Sequence, residues 1–407
     1  MRRGARGLHL VLTIVFLAAS AGVTAGVAQQ TPTPKPTAAP DTIPAPASAP
    51  TPPAPAPSAP ALRFSGVMFA NYQYRLDRGT SRGANKFDPE RIYLNFLMPA
   101  GDRASVRVTT DLYQQTKSGN DEYYRGWVLR AKYAYFQYDY LKRGGLTAVA
   151  RLGLLHNAFI DHDESFWPRW VGTVAVDRHG YFSSSDAGLA TLVTFPGKRG
   201  ELYATLVNGP GYTSRETDRF KDYAARLTLT PLAASNVPFW RGLVLTGWAY
   251  KGARGSRFAA GGTGQLAPIG SSLDRDRWGV FAAVKDPRLT VAAQYASRKD
   301  QGEAGENTAL SPRVVTDSSG SLVSAYAMAR VFRGRGKNPS ALHVLGRLDR
   351  VTTHRARGDR HHLAVAGLIW DLTRAASLSL DYQELLPERG SAVSPNKTLF
   401  LHLVARY

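Results

Sequence analysis

The stretch that decides the fold is Asn396–Tyr407, which reads NKTLFLHLVARY. At a period of two residues, one face of this stretch carries Leu399, Leu401, Leu403, Ala405 and Tyr407. The other face carries Phe400, His402, Val404 and Arg406. Such alternation indicates a β-strand with one apolar side. We therefore predict that the chain closes on a strand.

The same alternation recurs upstream, first in RFSGVMFANYQYR at positions 63–75. It predicts sixteen strands in all, most of them about ten residues long, the length of a tilted membrane-spanning strand. They begin near Arg63, Glu90, Ala104, Gly126, Leu146, Ala187, Glu201, Asp222, Leu243, Asp276, Leu289, Leu322, Ala341, His361, Ala375 and Thr398. The count is even, as a bacterial outer-membrane barrel requires.

The connections alternate in length. Tight turns such as PAGDR, PGKRG, DPR and TRA follow even-numbered strands, whereas most long loops follow odd-numbered ones. The long loops are predicted at 76–87, 114–125, 156–186, 252–275 and 298–321. Short turns at one end and long loops at the other are typical of an outer-membrane barrel. The third outer loop is the longest, and a loop of that length is usually functional.

Composition and the N-terminus bound the environment. The chain has 407 residues, a formal net charge of +20 and no Cys, so disulfides and thiolate metal sites are absent. The basic excess favours nucleic acid, an acidic membrane surface or an anionic solute as partner. A charged MRRGARG, an apolar LHLVLTIVFLAAS and a small-residue GVA predict a signal peptide at 1–28, which argues against nucleic acid. Cleavage after Ala21 and an uncleaved anchor are the alternatives.

Two further segments follow the signal peptide. Residues 29–61 are rich in Pro and Ala, and they predict a disordered, extended periplasmic linker. Residues 62–407 form the predicted barrel. A soluble sandwich or propeller would also show alternating strands. Charged inward faces favour the membrane barrel, because a soluble barrel would bury basic residues such as Arg91, Arg107 and Arg130 unpaired in its own core.

Several stretches carry a family resemblance: SSSDAGLATLVTF (183–195), ELYATLVNGPGYTSRETDRFKDYAARLTLTPL (201–232) and IWDLTRAASLSLDYQ (369–383). The chain resembles the phosphate- and polyphosphate-selective porins (porin O/P) of Gram-negative outer membranes. The resemblance implies a sixteen-stranded homotrimer whose third outer loop folds into the lumen. It also implies an arginine ladder along the pore and lysines at the constriction.

Inward parity offers seven basic residues as pore lining: Arg63, Arg91, Arg107, Arg130, Lys132, Arg151 and Arg226. Rings of Lys or Arg select anions, although an inward Arg could equally pair with an inward acid such as Asp111 or Asp222. The constriction loop departs from the family pattern, because it has no lysine. It carries instead Asp161, Asp163, Glu164, Arg169 and Arg178. Opposed charges would give weak selectivity; binding of a divalent cation by the loop acids is the alternative.

Aromatic residues suit the interfacial girdles of a barrel. Those predicted to face lipid are Tyr72, Tyr74, Trp127, Tyr133, Tyr135 and Tyr407. Stacking of sugars inside the pore is their alternative role. The terminal Tyr407 also resembles the aromatic signal that the barrel-assembly machinery recognises.

The chain contains no Walker motif and no Rossmann fingerprint. We therefore predict a non-enzyme without metal or cofactor, placed in outer-membrane lipid. The predicted function is passive diffusion of small hydrophilic solutes with a bias toward anions, including phosphate. A phosphate-specific channel and a structural or adhesive anchor are the alternatives.

Overall fold

The computed structural model describes residues 61–407 apart from 79, 115–125, 257–271, 305–309, 312–313 and 335–339. The predicted signal peptide and, apart from Ala61, the predicted linker lie outside the described residues. The prediction of a loop at 114–125 also falls largely outside them.

Sixteen antiparallel strands form one closed barrel, as predicted. Each strand pairs with its neighbours along the chain, and β1 pairs with β16. The bounds are β1 (Arg63–Arg75), β2 (Asn85–Pro99), β3 (Ala104–Gln114), β4 (Trp127–Arg143), β5 (Leu146–His156), β6 (Ser185–Thr194), β7 (Gly200–Val207), β8 (Asp222–Leu229), β9 (Leu243–Gly255), β10 (Ser272–Lys285), β11 (Leu289–Ala304), β12 (Val314–Arg333), β13 (Ala341–His354), β14 (Asp359–Asp371), β15 (Ala376–Pro387) and β16 (Asn396–Arg406).

The closing strand has the orientation that its alternation predicts. Leu401 pairs with Tyr72 of β1 and is exposed on the outer wall, whereas His402 and Val404 are buried on the inward face. Tyr407 exchanges backbone hydrogen bonds with Gly66, and its ring leaves no room for a Cβ there. The sheet therefore has no open edge between its first and last strands.

The outer wall of the barrel is apolar. Outward residues such as Leu129, Leu152 and Leu348 are 60%, 62% and 68% exposed. Exposed apolar surface on this scale marks an interface with a membrane or another protein. None of the helices among the described residues is long and apolar enough to cross a membrane.

The barrel has a turn end and a loop end. Tight connections follow most even-numbered strands, as at 100–103 and 286–288, and they lie at the end where β1 begins; the β8–β9 connection at 230–242 is longer. Longer connections follow most odd-numbered strands at the opposite end. The loops predicted at 252–275 and 298–321 are shorter than predicted, because the strands on both sides are longer. Strand β9 ends at Gly255 and β10 begins at Ser272, whereas β11 ends at Ala304 and β12 begins at Val314. Long polar strand ends lack the apolar alternation that marks a span.

The third outer loop, residues 157–184, folds into the lumen, as predicted. It contains the short helices α1 (Ile160–Glu164) and α2 (Ala175–Arg178); a third helix, α3 (Pro238–Arg241), lies in the β8–β9 connection. Phe159, Trp167 and Val176 of the loop are fully buried and belong to one apolar cluster with inward side chains of the wall, including Phe281 and Leu363. The loop is therefore a packed part of the barrel core.

Strand β4 changes the side that its residues face at Lys132. The register between β3 and β4 shifts between Thr109 and Thr110, which leaves Lys132 as the extra residue of a β-bulge. Tyr133 and Tyr135 consequently face inward and are 4% and 7% exposed. The prediction that these two tyrosines face lipid in a girdle is therefore wrong.

Beyond the bulge, the outward aromatic residues of β4 are Phe136, Tyr138 and Tyr140, each of them exposed. Trp127, on the other side of the bulge, is exposed as predicted. The outer wall thus keeps its aromatic residues, but at positions one residue away from those that strict alternation indicates.

Candidate functional site

The third outer loop is anchored to the far wall of the lumen by a buried carboxylate. Asp163 in α1 has no exposed surface. It accepts a hydrogen bond from Gln294 Nε2 on β11 and one from Tyr326 Oη on β12, each at 2.8 Å. Burial raises the pKa of Asp163, opposed by these two hydrogen bonds. Asp163 was predicted to line the constriction, but the structure places it behind the loop as an anchor.

A second anchor lies on β13. Arg347 Nη1 donates to the carbonyl oxygen of Thr173 at 2.7 Å, and Arg347 Nη2 lies 2.6 Å from Asp349 Oδ2. His179 Nε2 lies 3.0 Å from the same carboxylate oxygen. Both the arginine and the acid are buried, so each satisfies the charge of the other.

Contacts to further strands hold the rest of the loop. Gln383 Nε2 of β15 donates to the carbonyl oxygen of Val171 at 2.8 Å, and Arg178 Nη1 donates to Gln383 Oε1 at 3.1 Å. His162 Nε2 lies 3.0 Å from Thr246 Oγ1 of β9. The loop is thus fastened from β9 around to β15, and Arg178 takes part in that attachment.

Opposite the loop, β2 to β5 carry a basic wall, consisting of Arg91, Arg107, Arg130, Lys132 and Arg151. Tyrosine rings lie beneath these cations. Arg130 Cζ lies 4.0 Å from the centroid of the Tyr113 ring, and Lys132 Nζ lies 4.3 Å from that of Tyr93. Arg107 and Arg151 lie over Tyr133 and Tyr135 at 5.4 Å and 5.2 Å. Cation–π contacts of this kind hold a cation without neutralising it.

Some of the predicted pore residues are neutralised by acids. Arg91 Nη1 and Arg130 Nη2 both lie against Asp111 Oδ2, at 2.5 Å and 3.0 Å, and this acid has no exposed surface. Arg226 pairs with Glu201. These pairs match the structural alternative for inward arginines, although Asp222 pairs with Arg275 at 2.9 Å rather than with a predicted residue.

In the described part of the chain, three members of the basic wall, Arg107, Lys132 and Arg151, are not paired with an acid. Arg107 Nε donates to Thr109 Oγ1 at 3.2 Å, and Arg151 Nε donates to Gln137 Oε1 at 2.9 Å. Among the residues that the structure describes, Arg107, Arg151 and Lys132 form no ion pair with a carboxylate. Arg63, the remaining predicted residue, is exposed at the turn end of β1.

The loop presents acids toward the basic wall. Asp161 Oδ1 accepts a hydrogen bond from Tyr133 Oη of β4 at 3.0 Å. Glu164 Oε1 lies 2.7 Å from Arg169 Nε, and Arg169 Cζ lies 5.7 Å from the centroid of the Tyr93 ring on β2. The constriction is therefore bounded by loop carboxylates on one side and by the basic wall on the other.

Burial shifts the pKa values of the loop acids Glu164 and Asp177. It raises the pKa of Glu164 to about 7, against the opposing effect of Arg169, and nearby Asp161 raises it further. Burial also raises the pKa of Asp177, which Arg169, Lys132 and Arg91 lower. Asp177 thus belongs to the same electrostatic group, although sequence reasoning did not select it. Its place in the third outer loop was the available signal.

The tyrosines of the basic wall were also missed as site residues. Tyr93, Tyr113 and Tyr203 alternate with outward residues on β2, β3 and β7, so inward parity could have identified them. Tyr133 and Tyr135 could not be placed in this way, because the bulge at Lys132 reverses their parity.

No protein-family model matches the chain, and no curated protein matches it. The resemblance to phosphate-selective porins therefore stays a prediction.

Solved structures do match. OmpF of Salmonella typhi, in a complex with daunomycin, is 11% identical, with 86% of this chain and 98% of that chain covered and a TM-score of 0.57. An anion-selective porin from Comamonas acidovorans is 10% identical, with 85% and 99% covered and a TM-score of 0.57. The outer membrane channel DcaP of Acinetobacter baumannii is 13% identical, with 86% and 98% covered and a TM-score of 0.52. At these identities the similarity shows a shared barrel fold.

Proposed function

We propose that the protein is an outer-membrane channel for passive diffusion of small hydrophilic solutes, biased toward anions. One observation carries the proposal. Arg107, Lys132 and Arg151 lie together on the lumen wall without a carboxylate partner among the described residues. Uncompensated cations along a pore raise the local concentration of anions and repel cations.

The apolar outer wall and the closed sheet support the membrane location, because only a barrel without edges satisfies its backbone in lipid. The fold is shared with proteins described as an anion-selective porin and as an outer membrane channel. We propose on the same basis that the chain forms homotrimers and that a signal peptide exports it. The barrel-assembly machinery would recognise its terminal strand. Catalysis is not part of the proposal.

General anion bias is favoured over phosphate specificity. Asp111 neutralises Arg91 and Arg130, so these arginines are not free to form a bidentate site for phosphate. The loop carboxylates Asp161, Glu164 and Asp177 also reduce the net charge of the constriction. Arg107, Lys132 and Arg151 have no such partner within the described ranges, but the loop carboxylates nearby favour a weak anion bias over a specific phosphate site.

The reversal potential of the purified barrel in a planar bilayer under a KCl gradient tests the proposal. We expect a chloride-selective current that is weakly affected by added phosphate. Replacing both Arg107 and Arg151 with Gln should move the reversal potential toward that of a nonselective pore. Lys251→Gln is the matched control, because Lys251 faces outward and pairs with Asp276 at 2.9 Å.

Other results would favour the alternatives. Block of the current by low phosphate would indicate a phosphate-specific channel. Absence of any conductance from a correctly folded barrel would indicate a structural or adhesive anchor. A cation-selective current would contradict the role assigned to Arg107, Lys132 and Arg151.

A further inference from the structure

A basic patch lies on the outward faces of β13 and β14, in the half of the barrel nearer the loop end. This outer basic patch consists of Arg350 on β13 with Arg360 and His362 on β14. Arg350 lies directly opposite His362 in the antiparallel ladder. The residues next to them, Asp349 and His361, are buried on the inward face. The patch therefore faces the surroundings of the barrel and not its lumen.

The outer basic patch has more basic than acidic groups. Glu388 Oε1 lies 3.0 Å from His362 Nε2, and Glu388 Oε2 lies 3.9 Å from Arg360 Nη1. Arg350 is exposed and forms no ion pair within the described part of the chain. One carboxylate thus contacts two of the three basic side chains, which leaves the positive charge of Arg350 unpaired among the described residues.

Three outward lysines near the loop end are each paired with an acid. The pairs are Lys251 with Asp276 at 2.9 Å, Lys299 with Asp317 at 2.8 Å and Lys397 with Glu384 at 2.7 Å. The outer basic patch differs from these exposed pairs in its unmatched arginine. The unpaired arginine favours binding of an anionic group at this part of the outer wall.

The wall next to the patch, toward the turn end, is apolar. Leu348 and Val344 on β13 are 68% and 43% exposed, and Leu368 on β14 is 43% exposed. Guanidinium groups above an apolar wall match a lipid whose phosphate lies above its acyl chains. A soluble anion would contact only the cations and would gain nothing from the apolar wall.

We propose that the outer basic patch binds the phosphorylated headgroup of a glycolipid in the outer leaflet, with acyl chains along Leu348 and Leu368. Arg350 and Arg360 would pair with phosphate oxygens, and His362 would add a further donor. The proposal rests on the membrane location proposed above but not on transport. Its failure is therefore distinguishable from failure of the channel proposal, which the reversal potential tests.

The experiment measures lipid retained by the purified full-length barrel. The detergent-solubilised protein is incubated with diphosphorylated lipid A, separated from excess lipid by gel filtration, and analysed for bound lipid by mass spectrometry. Wild type should retain diphosphorylated lipid A in preference to the dephosphorylated form. The double variant Arg350→Gln/Arg360→Gln should lose affinity by roughly fivefold for each arginine, the usual contribution of a basic residue near an anionic lipid surface.

Controls separate this site from nonspecific attraction and from misfolding. Lys251→Gln removes an outward charge in a matched pair and should retain lipid like wild type. Arg350→Lys keeps the charge but loses the bidentate geometry, so its retention should be intermediate. Each variant should keep the heat-resistant mobility and the conductance of wild type.

Four results would overturn the proposal, and three of them concern retention: equal retention by the double variant, equal loss in Lys251→Gln, or equal retention of dephosphorylated lipid A. Full displacement of the lipid by millimolar inorganic phosphate would also overturn it, because free phosphate and not the glycolipid would then be the preferred occupant.

Discussion

A single loop carboxylate, Glu164, makes the constriction sensitive to pH. Its pKa is raised to about 7 by burial, so Glu164 gains a proton as the pH falls through neutrality. Protonation removes a negative charge that faces the basic wall. We therefore expect the chloride-to-potassium permeability ratio to be higher at pH 6 than at pH 8, measured from reversal potentials in a planar bilayer.

Glu164→Gln supplies the control for that titration, since it fixes the neutral form. At pH 8 this variant should already show the selectivity that wild type reaches at pH 6, and its remaining pH dependence should be small. A pH dependence identical to that of wild type would assign the effect to other groups, such as Asp177, whose pKa burial also raises.

A second residue, Asp163, is one of the contacts that hold the loop against the wall. Asp163→Ala would leave Tyr326 Oη and Gln294 Nε2 buried without their acceptor, at a cost of about 1–3 kcal/mol. The loop should then leave the wall more often, which predicts a larger and noisier single-channel conductance and faster proteolysis within 157–184. Tyr326→Phe, which removes only one donor, should have a smaller effect. Unchanged proteolysis would argue that the apolar cluster alone holds the loop.

At the scale of elements, the bulge in β4 makes a prediction opposite to that of strict alternation. Gln137 faces inward and donates to Asp139, whereas Tyr138 is exposed on the outer wall. Because the chain has no Cys, single cysteines can be introduced at both positions. A membrane-impermeant thiol reagent should label Gln137→Cys through the lumen and leave Tyr138→Cys unmodified in liposomes. The reverse pattern would mean that β4 has no bulge.

The same strand shows how far the sequence could predict the structure. Outward positions along the middle of most strands are apolar whatever their inward neighbours, so alternation predicted the strands and their closure. Inward positions have no such uniform requirement, because the loop packs over wall residues as different as Phe281 and Arg347. Lys132, the extra residue of the bulge, is flanked on both sides by alternating residues. The change of face at Lys132 therefore leaves no mark in the sequence pattern. The position of Asp163 depends on such tertiary contacts, and those of Tyr133 and Tyr135 depend on the bulge.

At the scale of the whole molecule, the closing strand should control insertion and stability. Leu401 lies on the outward face of β16, which hydrogen-bonds to both β15 and β1. Leu401→Arg should cost roughly 2–4 kcal/mol if it lies near the bilayer midplane, the range for a basic residue on the lipid face of a barrel. The measurements are the temperature at which heat-resistant mobility is lost and the midpoint of unfolding in urea with liposomes.

Leu401→Ile is the matched control, because it keeps an apolar side chain at the same position and should leave both measurements nearly unchanged. The cost of the arginine should exceed its local penalty if insertion itself fails. A strand that does not enter would expose unpaired backbone on β1 and on β15, and lipid offers no hydrogen-bond partner to either edge. Wild-type behaviour of Leu401→Arg in both assays would contradict a lipid-facing register for β16 and, with it, the membrane location.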